Sequence, residues 1–245
     1  GQLGVVAWEA GVRYESTEVD ISSDDVSVSN DYSAVLPSVH MKWDLSDADR
    51  LNVSFARSVR RPNFNYVLPL LLEEEYGDND FLGNPLLDPE YAWGMDIGFE
   101  HRLGKRGVVG INLFYRAVED LIEIVNTGEP SATAIGDFED EVEEFLDENP
   151  GALPGSPGYP EFDPNSFVYT AANVGNGDVY GIEFDLSTPL TAVGLPDTGV
   201  FLNYSWLDSN ARDFLGERRF NNQARSVLNV GFIHGVMNTD NMTIS

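Results

Sequence analysis

Long stretches of the sequence alternate strictly between apolar and polar residues, and Tyr91–Leu103 shows this pattern most clearly. Glycines and charged residues occupy one face of this stretch, and large apolar side chains occupy the other: Trp93, Met95, Ile97 and Phe99. A period of two residues predicts a β-strand and excludes a helix. A single strand of this kind suits a soluble β-sandwich or a membrane β-barrel, so the rest of the chain must decide between them.

The same period recurs along the chain and predicts about eight strands. They are expected at Val5–Ser16, Ala34–Trp43, Leu51–Val59, Tyr91–Leu103, Val108–Val118 (continuing through Leu121–Val125), Val179–Leu186, Val200–Leu207 and Ser226–His234. A turn at Asn238–Asn241 and the start of another strand at Met242–Ser245 are expected to follow. A short helix is predicted between Phe138 and Leu146 from the spacing of its apolar residues, and Asn149-Pro150-Gly151 would end it.

The connections between the predicted strands alternate between short and long. Short turns follow the second, fourth, sixth and eighth strands, and longer polar connections follow the others: Glu18–Asp31, Arg60–Glu90, Asn126–Ser166 and Asp208–Asn222. Outer-membrane barrels have short turns on one side of the membrane and long loops on the other. A soluble sandwich has no reason to collect its long, acidic connections at one end. The pattern favours the barrel, and a soluble all-β binding or adhesion module remains the alternative.

Composition excludes several other classes of protein. The 245 residues contain no cysteine, which excludes disulfide scaffolds and thiolate metal sites. No apolar run approaches the ~20 residues of a membrane-spanning helix, so neither such a helix nor a signal peptide is expected. The formal charge of −27 argues against binding to nucleic acid, whose phosphates attract a basic surface.

Several segments carry a more specific pattern: Arg57–Pro69 (RSVRRPNFNYVLP), Gly83–Leu103 (GNPLLDPEYAWGMDIGFEHRL), Ile111–Ile122 (INLFYRAVEDLI), Asn173–Leu190 (NVGNGDVYGIEFDLSTPL), Asn203–Ser209 and Phe220–Phe232. Together they resemble the C-terminal half of the barrel of TonB-dependent outer-membrane receptors. The resemblance covers nearly the whole chain. It also resembles the branch of these receptors, common in aquatic and plant-associated proteobacteria, that is often linked to carbohydrate uptake.

The resemblance implies an all-β fold, an antiparallel meander that forms part of a 22-strand transmembrane β-barrel with long extracellular loops. Residues 1–245 would be a fragment of that barrel, with the plug domain and the terminal strands outside it. Such receptors lie in the outer membrane of Gram-negative bacteria, in contact with its lipid and lipopolysaccharide. They bind a small extracellular solute and import it when TonB acts through the N-terminal region. The implied function is active transport without catalysis or a cofactor.

Candidate solute-binding residues gather where the third predicted strand ends and in the connection that follows it. Arginine suits phosphate and carboxylate groups, and aromatic faces beside amides suit sugar rings. The candidates are Arg57, Arg60, Arg61, Asn63, Asn65, Tyr66, Tyr76, Phe81 and Asn84. For the arginines, contact with lipopolysaccharide and structural pairing with acidic residues are the alternatives.

The other clusters of charged residues are predicted to be neither catalytic nor metal-binding. Glu73–Glu75 with Asp78 and Asp80 could hold a cation, but a solvated loop also explains them. The acidic residues of Asp137–Glu148 match no calcium-loop spacing, and the 3 histidines lie on separate predicted strands. A glycosidase, the third functional alternative, needs two carboxylates that flank one bond at a defined separation, and the sequence indicates no such pair.

The charge of the long connections favours a neutral solute. A negatively charged surface repels anions over about a Debye length, ~8 Å at physiological salt. Many ferric siderophores are anionic or carry carboxylates, whereas a neutral oligosaccharide is not repelled. The sequence therefore favours carbohydrate uptake over siderophore uptake.

Overall fold

The structure, a computed structural model, describes residues 5–22, 27–213, 216–221 and 223–234. Among these residues, one sheet contains 11 strands. They are β1 (Val6–Ser22), β2 (Ser27–Asp44), β3 (Asp49–Arg60), β4 (Leu71–Tyr76), β5 (Asn79–Leu82), β6 (Glu90–Leu103), β7 (Gly107–Pro130), β8 (Phe167–Leu190), β9 (Leu195–Asp213), β10 (Gly216–Arg218) and β11 (Ser226–His234). The α-helices in this part of the chain are α1 (Phe64–Val67) and α2 (Ala132–Glu148).

The long strands pair in chain order, in the sequence β1, β2, β3, β6, β7, β8, β9 and β11. All of these pairings are antiparallel. The expected antiparallel meander is therefore confirmed, and each predicted strand overlaps one of these strands. The sheet is open, because within the described ranges β1 pairs only with β2 and β11 pairs only with β9. The turn and strand expected over 238–245 lie outside the described residues.

The register gathers the large apolar side chains on one side of the sheet, here called the apolar face. Phe55 pairs with Met95, Met95 with Tyr115, and Tyr115 with Tyr180. All four side chains are exposed, and Trp8 on β1 is 74% exposed. A sandwich would bury such a face under a second sheet, whereas a membrane barrel turns it towards lipid. The prediction of a barrel section is confirmed, and the sandwich alternative is wrong.

The opposite side, here called the polar face, carries hydrogen bonds between the side chains of neighbouring strands. Asn52 on β3 donates to Glu100 on β6 at 2.9 Å, and Ser54 donates to Asp96 at 3.1 Å. Asp96 also accepts from Arg116 on β7 at 2.8 Å. Acidic residues of this face thus accept hydrogen bonds from donors on adjacent strands. This cross-strand bonding accounts for their presence on the polar face.

Phe114 interrupts the polar face of β7, and a glycine on the next strand explains how its ring is accommodated. Phe114 pairs with Gly181 of β8, and a Cβ atom added to Gly181 would lie 2.7 Å from the Phe114 ring. An aromatic ring that covers a strand glycine in this way compensates for its missing side chain. Phe114 is therefore a cross-strand packing residue on the polar face.

The two ends of the sheet carry different kinds of connection. At one end, here called the inner end, short turns over 45–48 and 104–106 join β2 to β3 and β6 to β7. The turn between β8 and β9 contains a short 3-10 helix, Thr191–Val193, and Gly194 closes it at φ 84°, a conformation that favours glycine. The long connections lie at the opposite, outer end. Short turns after β2, β6 and β8 and long connections after β3 and β7 agree with the predicted alternation, whereas the link between β1 and β2 does not.

Several strands are much longer than the sequence pattern predicts. β7 and β8 each contain 24 residues, whereas ~9–11 residues cross a bilayer as a tilted strand. The predicted start of a strand at Val179 is therefore wrong, because β8 begins at Phe167. These strands extend past the length that a membrane requires, and the extra residues form a wall at the outer end.

The polar loop predicted over Glu18–Asp31 is wrong for most of its length. β1 continues to Ser22 and β2 begins at Ser27, so the segment is an extended hairpin. The side-chain amide of Asn30 donates to the backbone oxygen of Leu87 at 3.0 Å. This long-range contact holds the hairpin against the connection between β3 and β6.

The main buried apolar cluster lies at the outer end and consists of Val67, Phe81, Leu87, Ile122 and Ala171. The β3–β6 connection (residues 61–89) supplies the first three, and β7 and β8 supply the others. This connection contains α1 and the hairpin of β4 and β5, and β5 pairs in parallel with β8. The connection therefore packs as a folded unit against the outer parts of β7 and β8.

Helix α2 begins earlier than predicted and ends where predicted. Ser131 is its N-cap, and its hydroxyl accepts the backbone N–H of Ala134 at 3.1 Å, so the helix starts at Ala132. The last helical residue is Glu148, directly before Asn149-Pro150-Gly151. Neither α-helix of the described residues is long and apolar enough to cross a membrane.

Candidate solute-binding site at the outer end

Arg60 and Arg61 lie where β3 passes into the β3–β6 connection. Arg60 donates to the buried carboxylate of Glu90 at 2.5 Å, and the same oxygen of Glu90 accepts the backbone N–H of Ile122 at 2.7 Å. Arg61 donates to Glu15 on β1. The arginine side chains nevertheless remain 67% and 45% exposed. The glutamates hold the two guanidinium groups in place, and both groups stay accessible to a solute.

A cavity of about 260 Å³ opens beside these arginines. Its lining residues are Arg60, Arg61, Pro62, Asn63, Tyr66, Ile122, Glu123 and Ile124. Glu123 forms an ion pair with Arg218, so its carboxylate is balanced by a cation. The cavity thus offers exposed guanidinium groups in a chain whose formal charge is −27. Such groups suit a carboxylate or a phosphate.

A second cavity of about 430 Å³ adjoins α1. It is lined by Asn63, Phe64, Asn65, Tyr66, Leu72, Glu75, Tyr76 and Phe81. Asn63 and Tyr66 line both cavities. The Phe81 ring lies 5.7 Å from the Tyr66 ring and 6.0 Å from the Tyr76 ring, measured between centroids. Aromatic rings beside amide side chains offer stacking and hydrogen bonding to a sugar ring or another planar group.

Phe81 and Asn84 contribute mainly to the packing beneath the second cavity. Phe81 is only 2% exposed and belongs to the buried apolar cluster. The side-chain amide of Asn84 donates to the backbone oxygen of Ala171 at 3.1 Å, and its carbonyl accepts the backbone N–H of Leu86 at 3.0 Å. Asn84 lines neither of the two cavities.

Tyr76 keeps its hydroxyl proton over the physiological range of pH. Burial raises the pKa of the Tyr76 phenol, and the nearby Tyr66 and Glu75 raise this pKa further. A phenol whose pKa is raised above its ordinary value near 10 remains a hydrogen-bond donor at neutral pH. The second cavity therefore presents a neutral donor beside its aromatic rings.

Arg57 lies on the apolar face, away from the cavities. It pairs with Trp93 and shares a face with Phe55, two residues earlier on β3. Arg60, by contrast, pairs with Glu90 at the end of β3. Arg57 and Asn84 therefore lie apart from the two cavities. The other candidates line one or both of them: Arg60, Arg61, Asn63, Asn65, Tyr66, Tyr76 and Phe81.

Several lining and supporting residues are not apparent from the sequence. Phe64 and Leu72 line the second cavity, and Glu123 lines the first. Phe64 could have been identified from the sequence, because it lies between two candidate residues, Asn63 and Asn65. Glu90 is 30 residues away from Arg60 in the chain, so only the pairing of β3 with β6 reveals their contact.

The acidic run of the β3–β6 connection does not converge on a common point. Glu73–Glu75 lie on β4 with exposed side chains, whereas Asp80 is 0% exposed. Asp80 accepts the backbone N–H groups of Glu74 at 3.1 Å and Ala132 at 2.7 Å. Within the described ranges, no three acidic or histidine side chains gather closely enough to hold a metal ion.

Comparisons with solved structures show where this fold occurs. The copper transporter OprC superposes with a TM-score of 0.60 at 12% identity, over 94% of this chain and 30% of that chain. The alcaligin outer-membrane receptor FauA from Bordetella pertussis superposes with a TM-score of 0.53 at 15% identity, over 96% and 32%. A mutant of the ferric enterobactin receptor PfeA from Pseudomonas aeruginosa, in complex with enterobactin, gives a TM-score of 0.50 at 16% identity, over 94% and 31%. At these identities the likeness shows the fold alone, and the chain spans about a third of the length of each structure.

Sequence comparison shows the family. A search of curated protein sequences finds no significant match. The family model described as "TonB dependent receptor-like, beta-barrel" matches residues 3–240, which is nearly the whole chain. Members of this family are outer-membrane proteins of Gram-negative bacteria, which agrees with the exposed apolar face and the hydrogen-bonded polar face. The chain belongs to the TonB-dependent receptor β-barrel family and forms part of an outer-membrane barrel.

Proposed function

We propose that the receptor containing this chain binds a small extracellular solute at the outer end of the sheet and imports it with energy supplied through TonB. The observation that supports this proposal most directly is the pair of adjoining cavities that share Asn63 and Tyr66. Contact with TonB would be made by a region N-terminal to these 245 residues. The receptor transports its solute without changing it chemically, as the family does.

We further propose that the solute is an oligosaccharide. The second cavity combines the rings of Phe64, Tyr66 and Tyr76 with two asparagine amides, which suits a sugar ring. The surrounding connections carry many acidic side chains, and helix α2 alone contains a dense run of them between Asp137 and Glu148. This charge repels anions at a range of ~8 Å and leaves neutral sugars unaffected.

A ferric siderophore is the second candidate solute. Two observations favour it: the exposed guanidinium groups of Arg60 and Arg61, and the structural likeness to FauA and PfeA, whose names refer to alcaligin and to ferric enterobactin. Guanidinium groups bind the carboxylate or catecholate oxygens of such compounds. The two candidates differ in charge, so direct binding measurements separate them.

The double substitution Phe64→Ala and Tyr76→Ala in the full-length receptor is expected to weaken solute binding about ten- to a hundredfold, because two rings of the second cavity are lost. The measurement is calorimetric titration of the detergent-solubilised receptor with a panel of neutral oligosaccharides and of ferric siderophores. Phe162→Ala is the matched control, since Phe162 is an exposed ring that packs against Phe138, away from both cavities.

Growth experiments with a gene deletion complete this test. Loss of growth on an oligosaccharide, with normal growth under iron limitation, supports the proposed solute. Expression induced by iron starvation, together with siderophore binding and no response to any glycan, rejects the oligosaccharide in favour of the second candidate. Unchanged binding of every solute by the double variant rejects the cavities as the binding site.

A further inference from the structure

Arg57 is a cation placed among the apolar side chains that the barrel turns towards lipid. Its cross-strand partner is Trp93, and Phe55 and Met95 of the same face are both exposed. β3 ends at Arg60, so Arg57 lies in the last part of the strand, towards the outer end. An apolar band of a membrane barrel ends at the level of the lipid headgroups. Arg57 therefore marks the outer border of the band on this strand.

Aromatic rings fix the orientation of the Arg57 guanidinium group. The group lies 4.5 Å from the centroid of the Tyr91 ring and 5.8 Å from that of the Trp93 ring. Trp93 in turn stacks on Phe55, with 5.1 Å between centroids and 18° between ring planes. Stacking on aromatic faces leaves the edges of a guanidinium group, which carry its N–H donors, free for a ligand.

The N–H donors of Arg57 are poorly used within the chain. Nη1 reaches the backbone oxygen of Val35 only at 3.4 Å, and Nη2 lies 3.9 Å from Glu119. Nε is buried and has no hydrogen-bond partner among the described residues. Arginines of the polar side make much shorter contacts: Arg60 with Glu90 at 2.5 Å and Arg116 with Asp96 at 2.8 Å. A guanidinium group has five N–H donors, so Arg57 has capacity for an external acceptor.

We propose that Arg57 binds a phosphate group on a lipid of the outer leaflet. A phosphate offers several charged acceptor oxygens that match the guanidinium edge in a bidentate manner. The acyl chains of the same lipid would lie along the exposed side chains of Phe55, Met95 and Ile97. This assignment rests on the family and on the strand register, and it is independent of which solute the receptor imports.

Glu119 is the neighbouring acceptor that competes with such a phosphate. Its carboxylate is half-exposed and lies too far from Arg57 for a hydrogen bond. The phosphate displaces this weak contact, because it brings more charge and more acceptor oxygens. Removal of the Glu119 charge is therefore expected to strengthen lipid binding, whereas removal of the Arg57 charge weakens it.

The test compares full-length receptors carrying Arg57→Gln, Arg57→Lys, Glu119→Gln and, as a control on the polar side, Arg102→Gln. Each purified receptor is loaded with a phosphorylated glucosamine-based lipid, with its dephosphorylated form, or with inorganic phosphate, and bound lipid is counted by native mass spectrometry. Heat-dependent gel migration verifies that each barrel is folded. Arg57→Gln is expected to lose about five- to tenfold in retention of the phosphorylated lipid, and Arg57→Lys is expected to lose less. Glu119→Gln should retain at least as much lipid as the native receptor, and Arg102→Gln should match it.

Three results would overturn the assignment. The first is equal retention of phosphorylated lipid by Arg57→Gln and the native receptor. The second is equal retention of the phosphorylated and the dephosphorylated lipid, or loss of lipid retention when inorganic phosphate is present at equal concentration. The third is a loss of solute uptake in Arg57→Gln while lipid retention is unchanged, which would make Arg57 a solute contact.

Discussion

Replacing Gly83 with alanine is expected to disrupt the packed β3–β6 connection. A Cβ atom at this position would overlap the backbone carbonyl oxygen of Leu68, and it would lie 2.8 Å from the carbonyl carbon. A backbone obstacle cannot rotate away as a side chain can. The connection must therefore shift as a whole, at a cost of about 3 kcal/mol or more.

The expected result is local unfolding of residues 61–89 while the strands of the barrel remain paired. Proteolysis of the full-length receptor in outer membranes should cut this connection much faster in Gly83→Ala than in the native protein. Gly136→Ala is the control, because nothing lies within 4 Å of an added Cβ in helix α2. That variant should be stabilised by about 0.5–1 kcal/mol. Equal cleavage rates for Gly83→Ala and the native receptor would contradict the observed packing.

Replacing Asp80 with alanine is expected to separate helix α2 from the β4–β5 hairpin. The Asp80 carboxylate is fully buried and accepts backbone N–H groups of Glu74 and Ala132. Glu74 has a φ of 56°, which is unfavourable for a residue with a side chain, and the bond from Asp80 helps to hold it there. Loss of both bonds leaves two amides without this acceptor, at a combined cost of about 2–5 kcal/mol.

Hydrogen exchange of the full-length receptor measures this effect directly. The amides of Glu74 and Ala132 should exchange at least tenfold faster in Asp80→Ala, since 1.4 kcal/mol corresponds to a factor of ten. Asp78→Ala is the matched control, because Asp78 is an exposed acidic residue two positions earlier, in the turn between β4 and β5. Unchanged exchange at both amides, or the same acceleration in Asp78→Ala, would show that Asp80 does not join the two elements.

The sheet could be predicted from the sequence because its side chains face two different environments. Trp93, Met95, Ile97 and Phe99 alternate with Gly98 and other small or polar residues, so the strand and its register are visible locally. The same alternation also indicates the face of Arg57, which follows Phe55 by two residues. Arg57 and Arg60 therefore lie on opposite faces of β3, although they are close together in the sequence.

The outer end could not be predicted in the same way because long-range contacts determine it. The β4 segment LLEEEY does not alternate, and the early part of β8 is rich in glycine and asparagine. Asp80 contacts Ala132, Asn84 contacts Ala171, and both pairs are more than 50 residues apart. Because contacts between distant residues determine the fold of this region, its two cavities cannot be recognised from the sequence.

Site-directed spin labelling can test directly whether β6 crosses a membrane with one face towards lipid. The 245 residues contain no cysteine, so single cysteines can be introduced over 91–103 and spin-labelled without interference from this chain. In the full-length receptor in lipid vesicles, power-saturation spectroscopy reports collisions of each label with oxygen, which concentrates in lipid. Oxygen accessibility should peak at Trp93, Met95, Ile97 and Phe99 and fall at the residues between them. An accessibility profile without a period of two, or with its peaks on the polar face, would contradict the barrel.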